Sequence, residues 1–226
     1  MQKRGGGIVI LVPVKNLADA KQRLSPVLAA EQRFALAAAM LEDVLDALAL
    51  NERRDKVAVV TGDTHARACA QSRSLQVIED GENPGESGAI EMATRVCCRR
   101  GAEHSLVIPA DIPLVTSEEI GAIFAAAPRQ GAVLVPSASG RGTNAALRRP
   151  AGLFPLRFGN DSFVPHLAAA RATGMTVEVL HLPGIGLDVD EPADLAALLA
   201  APGDTRAQRL VRQWNMAERL LSTAHG

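Results

Sequence analysis

From Ile8 to Pro136, short runs of apolar, largely β-branched residues alternate with longer Ala- and Leu-rich segments of helical spacing. This alternation is the strongest constraint on the fold, because repeated strand–helix–strand units close as βαβ crossovers with parallel strands. Ile8–Val14 is an unbroken apolar run, as expected for a strand covered on both faces. Helices are expected over Glu31–Leu50, Thr64–Ser72, Ser87–Arg99 and Ser117–Ala126, and strands over Lys56–Thr61, Gln76–Glu79, Leu106–Pro109 and Ala132–Pro136. After Pro136 the rhythm breaks. Ser137–Gly142 is a small-residue loop, and Asn144–Arg148 is a short strand expected to run against the others. Asp161–Thr173 and Glu191–Ala200 read as helices, with Thr176–Leu182 extended between them. The helical tail, 202–226, is amphipathic over Thr205–Leu221, with Leu210, Trp214, Ala217 and Leu221 along one stripe. That stripe packs against its own domain or, alternatively, forms a homodimer contact. With 226 residues and neither a repeat nor a linker, one α/β domain over 1–226 is expected.

Charge and cysteine usage narrow the function. The chain has 24 basic and 25 acidic residues, a balance that argues against a nucleic-acid partner held by charge. Cys69, Cys97 and Cys98 show no metal-ligand spacing, and an odd count does not make a disulfide framework. Lys3 and Arg4 precede an apolar run that is short, meets Lys15 and lacks a cleavage pattern. No stretch is long enough to cross a bilayer, so a cytoplasmic protein without a membrane partner is expected. His65, His104, His166, His181 and His225 fall in unrelated segments, and no Gly-x-Ser-x-Gly elbow is present.

In open parallel sheets ligands gather beyond the carboxyl ends of the strands, so the segments there carry the chemistry. The loop after the first strand holds Lys15, Lys21 and Arg23, cations suited to a triphosphate or, alternatively, to a solvated surface. It is not a P-loop. Asp111 leaves the fourth strand between Pro109 and Pro113. Asp188 and Asp190 share one face of an extended segment, where two carboxylates repel unless a cation lies between them. Mg²⁺ suits such a set; the competing role is to cap the helix that begins near Glu191. A third patch, Ser139–Asn144 with Arg157–Phe163, combines glycines, hydroxyls and a helix start, features of an anion site and of ordinary turns alike.

These elements in this order resemble the guanylyltransferases that act on 2-phospho-L-lactate, phosphoenolpyruvate or 3-phospho-D-glycerate in the biosynthesis of the deazaflavin coenzyme F-420. The likeness rests on Pro13–Leu24, Pro109–Pro113, Gly140–Thr143, Arg157–Gly159 with Asp161 and Ser162, and Leu187–Pro192. It implies a three-layer α/β/α sandwich with a mostly parallel, Rossmann-like sheet of the nucleotide-diphospho-sugar transferase type. It also implies GTP and a small phospho-acid as substrates and Mg²⁺ held by Asp111, Asp188 and Asp190. The resemblance further assigns nucleotide contacts to Val12, Pro13, Lys15, Lys21, Arg23 and Gly85, and acceptor contacts to Thr143, Gly159 and Ser162. One element departs: where a Gly-Leu-Asn-x-Ala stretch is usual, this chain has Pro84-Gly85-Glu86-Ser87-Gly88-Ala89, without the asparagine. Other nucleotidylyltransferases, a glycosyltransferase using a nucleotide-sugar donor and a non-catalytic nucleotide-binding module are the alternatives.

Overall fold

A computed structural model describes residues 7–81, 85–159 and 161–223. Lys3, Arg4, Pro84, Asn160, His225 and the side chain of Leu221 lie outside the described residues. The chain runs β1 (Gly7–Pro13), α1 (Ala30–Ala49), β2 (Val57–Val60), α2 (Thr64–Ser72), β3 (Gln76–Ile78), α3 (Glu86–Arg99), β4 (Ala102–Val107) and α4 (Ser117–Ala126). It continues through β5 (Gly131–Pro136), β6 (Thr143–Arg149), α5 (Phe163–Ala172), β7 (Thr176–Val179), α6 (Pro183–Gly186), α7 (Pro192–Ala200), α8 (Arg206–Gln213) and α9 (Met216–Thr223). The strands form a seven-stranded sheet in the order β3-β2-β1-β4-β6-β5-β7. All neighbours are parallel except β6, which is antiparallel to both β4 and β5, as expected of the short reversed strand. Pro136 at the end of β5 therefore pairs with Thr143 at the start of β6.

Side-chain alternation builds the layers. From β1, Ile10 and Val12 join Leu41, Val44, Leu45 and Leu48 of α1, while Val9 and Leu11 join Ile90, Ala93 and Cys97 of α3 on the opposite face. β5 divides likewise, Val133 and Val135 to the first cluster, Ala132 and Leu134 to the second. The result is the helix–sheet–helix sandwich implied by the resemblance. Among the described residues no helix is long and apolar enough to cross a membrane.

Several boundaries differ from expectation by a residue, and β7 ends at Val179, three residues early; other departures are larger in kind. β4 starts at Ala102 because Ile8 and Val9 pair with His104 and Ser105, polar residues that hide the strand in the sequence. α5 starts at Phe163 because Asp161 adopts a left-handed φ of 59°. The turn α6 lies in a stretch where the sequence pattern marks no helix. The tail is two helices, broken at Asn215, whose φ is 50°. The break moves the buried stripe to Ala207, Val211 and Met216, which pack on Leu36 and Met40 of α1 and Leu195 and Leu198 of α7. Ala217 is exposed. Asp43 of α1 accepts the N–H groups of Arg206 and Ala207 at 3.0 and 2.9 Å, fastening the start of α8 through its unpaired donors.

Candidate active site

Two clefts open where β1, β4 and β6 meet. The first, about 560 Å³, is lined by Pro13, Lys15, Lys21, Asp80 and Gly85. The second, about 310 Å³, is lined by Asp111, Thr143, Gly159, Ser162, Asp188 and Asp190. They share Glu86, Pro109 and Asp111. Both volumes fall in the range of small-molecule sites, and their common wall sets the two spaces side by side.

The loop after β1 is held by local hydrogen bonds. Asn16 Oδ1 accepts the N–H of Ala18 at 3.0 Å and opens a 3-10 turn over Leu17–Asp19. Asp63 caps α2 through the N–H of Ala66 at 2.9 Å and takes the N–H of Leu17 at 3.1 Å on its other oxygen. One carboxylate thus starts a helix and tethers the loop. Asp63→Ala is expected to cost roughly 1–2 kcal/mol, read as a fall of several degrees in thermal midpoint.

Lys21 sits in the left-handed region at φ 57°, a conformation that costs a non-glycine residue about 1 kcal/mol or more. Its ammonium lies 2.7 Å from Asp111 Oδ2 and 2.7 Å from Asp190 Oδ1. Burial alone would pull this ammonium's pKa down, but the two carboxylates outweigh burial and hold it above the usual lysine range.

The acidic segment reaches the end of β4 through its backbone. Val189 N–H donates to the Asp111 carbonyl at 3.1 Å. Asn144 Nδ2 donates to the carbonyl of Ile185 at 2.9 Å and to Asp188 Oδ1 at 3.0 Å. Glu119 accepts the N–H groups of Gly184 and Ile185 at 2.7 and 3.1 Å. Asp194 reaches back to the N–H groups of Asp190 and Glu191 at 2.9 and 2.7 Å, so the start of α7 is served by Asp194. Neither Asp188 nor Asp190 is spent on capping. Burial, then the charges of Asp111 and Asp190, push the Asp188 carboxyl up against the hydrogen bond from Asn144. All three carboxylates face one cleft, and two already hold a cation, the ammonium of Lys21. The donor set is oxygen only, the chemistry of a hard divalent ion.

The family model for guanylyl transferases of the CofC-like type matches residues 8–224. This chain belongs to that family. The phosphoenolpyruvate guanylyltransferase of Roseiflexus castenholzii is 38% identical over 206 residues, covering 91% of this chain and 94% of that protein. The 2-phospho-L-lactate guanylyltransferase of Methanothermobacter thermautotrophicus is 34% identical over 203 residues, covering 90% and 89%. Among solved structures, a protein from Desulfovibrio desulfuricans G20 provisionally assigned as a nucleotide-diphospho-sugar transferase superposes with a TM-score of 0.77 at 18% identity, covering 97% of this chain and 98% of that one. A CMP:2-keto-3-deoxy-manno-octonic acid synthetase complexed with CTP gives 0.58 at 12%, covering 86% and 97%. These two likenesses show the fold.

On this CofC-like chain the residues named from the sequence are distributed unevenly. Pro13, Lys15, Lys21 and Gly85 line the first cleft, while Val12 is wholly buried in the sheet and lines neither. Arg23 lines the second cleft, 3.6 Å from Glu191, so the three cations of the loop do not form a single cradle. Gly85 has φ 89°, and a Cβ there would lie 3.8 Å from Lys15 Nζ, so glycine suits both its backbone and its place in the cleft. Thr143, Gly159 and Ser162 gather at the second cleft, with Thr143 N–H donating to Ser162 Oγ at 3.1 Å. Away from the clefts, packing brings Cys69 beside Glu42 and His65, a grouping the cysteine spacing does not disclose. The carboxylate of Glu42 is shared there by Arg73 and Arg206, each at 3.3 Å.

Glu86 and Asn144 line the second cleft and His166 lies behind Thr143; of the three, only Asn144 falls in a patch singled out from the sequence. Glu86 reads only as an acidic first-turn residue, and His166 carries no pattern. Glu86 stands in the wall shared by the clefts. Burial, then the charge of Asp111, push its carboxyl up to about 7 despite Lys15 and Lys21. A carboxyl raised above its unfolded value holds its proton better in the folded protein, so folding loses stability as pH rises from the unfolded value toward about 7. In protein free of nucleotide and metal, Glu86→Gln is expected to raise the thermal midpoint at pH 8, with the gain vanishing near pH 4. An unchanged or falling midpoint at pH 8 would contradict the assignment.

Proposed function

We propose that the chain transfers GMP from GTP to a small phosphorylated carboxylic acid, phosphoenolpyruvate foremost, releasing pyrophosphate in the biosynthesis of coenzyme F-420. The observation that carries this reading is the pair of clefts sharing Asp111, one large enough for a nucleotide and one the size of a small acid. Family membership and the names of the relatives support the same activity. Those names support phosphoenolpyruvate and 2-phospho-L-lactate as acceptors; 3-phospho-D-glycerate rests on the sequence resemblance alone.

In this reaction an acceptor phosphate oxygen forms a bond to the α-phosphorus of GTP. The bond from that phosphorus to the bridging oxygen breaks, and its electron pair leaves with pyrophosphate. The nucleophile is already an anion, so no strong base is required; the barrier lies in bringing two anions together. Lys15 offers charge to the triphosphate in the first cleft. Thr143, Gly159 and Ser162 hold the acceptor in the second. Asp111, Asp188 and Asp190 are the residues to hold Mg²⁺, which when bound supplies the charge neutralisation that the reacting oxygens need.

The test is pyrophosphate release from purified protein with Mg²⁺, each of four nucleoside triphosphates and each of the three phospho-acids. Release requiring both GTP and phosphoenolpyruvate is expected. Release with another nucleotide overturns guanine. No release with any nucleotide and acceptor of the panel, from protein shown to bind GTP, overturns the transfer reading in favour of a glycosyltransferase or a nucleotide-binding module.

A further inference from the structure

Behind Thr143, out of contact with the second cleft itself, lies a histidine whose two ring nitrogens are both engaged. His166, in the first turn of α5 and 1% exposed, accepts the backbone N–H of Arg157 on Nε2 at 2.7 Å. A nitrogen that accepts carries no proton, so the proton of the neutral ring is on Nδ1. Nδ1 lies 2.9 Å from Thr143 Oγ1 and is therefore the donor in that pair. The ring also packs edge-on against Phe158, centroids 5.3 Å apart, which fixes its plane. Burial, reinforced by the charge of Arg148, pushes the imidazole down to about 4, so it is neutral near neutral pH.

The direction of this hydrogen bond has a consequence for the cleft. A hydroxyl that accepts from Nδ1–H cannot also donate to it, so the proton of Thr143 points elsewhere. Ser162 is in the same position: its Oγ accepts the N–H of Thr143 at 3.1 Å, and its proton is turned away from that donor. Both residues are nearly buried, at 4% and 5% exposure, and both line the second cleft. Among the described residues, with Nδ1 as the donor to Thr143, neither hydroxyl donates a hydrogen bond. Two buried O–H groups without acceptors favour a ligand that is all acceptor.

We propose that His166 is a positioning residue that sets the polarity of the acceptor cleft, turning the Thr143 hydroxyl so that it and Ser162 together donate to an oxyanion of the phospho-acid. The clause about the phospho-acid rests on the transfer reading above; the orientation of the hydroxyls does not.

The test uses the whole protein and variants that separate the two ends of the ring. His166→Gln can supply an acceptor where Nε2 stands but no donor to Thr143. His166→Asn can supply a donor where Nδ1 stands. His166→Gln and Thr143→Val are each expected to raise KM for the acceptor about tenfold, the worth of one hydrogen bond, with KM for GTP little changed. The double variant is expected to be no worse than either single one, and His166→Asn to stay close to wild type in acceptor KM. Additive losses, or an equal rise in KM for GTP, would reduce His166 to a packing residue and overturn the proposal. ¹⁵N NMR of the wild-type histidine rings gives a readout independent of turnover: protonated Nδ1 with bare Nε2 is expected, and the opposite tautomer or an imidazolium near neutral pH overturns it. If the wild type transfers no GMP, the transfer reading fails by itself. Calorimetric titration with phosphoenolpyruvate then decides the brace: binding weakened alike by His166→Gln and Thr143→Val sustains it, and binding unaffected by either overturns it.

Discussion

Asp188→Asn is expected to lower the rate of pyrophosphate release by about 10²-fold or more, with the fold intact. The substitution is nearly isosteric, and the amide oxygen can still accept from Asn144 Nδ2, which now lies 3.0 Å from Asp188 Oδ1. The carbonyls of Ile185 and Gly186 also take that same amide group, at 2.9 and 3.2 Å, so the segment keeps its anchor. What is lost is one negative charge from the set formed with Asp111 and Asp190. The comparison to make is turnover against thermal midpoint and GTP affinity. Near-normal turnover in a folded variant would remove Asp188 from the proposed metal set.

The largest effect on stability is expected at Arg148→Ala, with a loss of about 3–5 kcal/mol by urea unfolding. Arg148 is completely buried on β6. It donates to Glu91 Oε1 at 2.9 Å, the Phe154 carbonyl at 2.7 Å, Thr94 Oγ1 at 3.1 Å and Ser105 Oγ at 3.2 Å. Removing it strands several acceptors and leaves Glu91 without its charge partner. Glu91 also holds the N–H of Leu156 at 3.1 Å, so a second substitution, Glu91→Gln in the Arg148→Ala background, should recover part of the loss by removing the charge while keeping that acceptor. A loss under about 1 kcal/mol would show that water reaches the freed groups.

The strands and helices of the first half are legible because their packing repeats the residue pattern: α2 and α4 match expectation at both ends. Asp111, Asp188 and Asp190 are legible because parallel sheets bind beyond their strand ends and because a pair of carboxylates two apart invites a cation. The partner of those carboxylates is not. Lys21 meets Asp111 and Asp190 across 90 and 169 positions of chain, a distance no local pattern spans. Its left-handed backbone, like those of Asp161 and Asn215, is a single-residue event that periodicity cannot foresee. His166 is hidden for a different reason: its role depends on which nitrogen carries the proton, decided by an N–H from Arg157.

The reversal of β6 divides the sheet into two modules that can vary separately. β3, β2, β1 and β4 form an all-parallel half bordering the first cleft, and β6, β5 and β7 form the half that bears Thr143 and the loop to Ser162. Because β6 runs backward, the second cleft is built from the beginning of a strand and the loops around it, which can be exchanged without re-registering β1 or β4. Residues 137–163 can therefore reshape the second cleft while the parallel half stays as it is, with Asp111 in the wall that both clefts share.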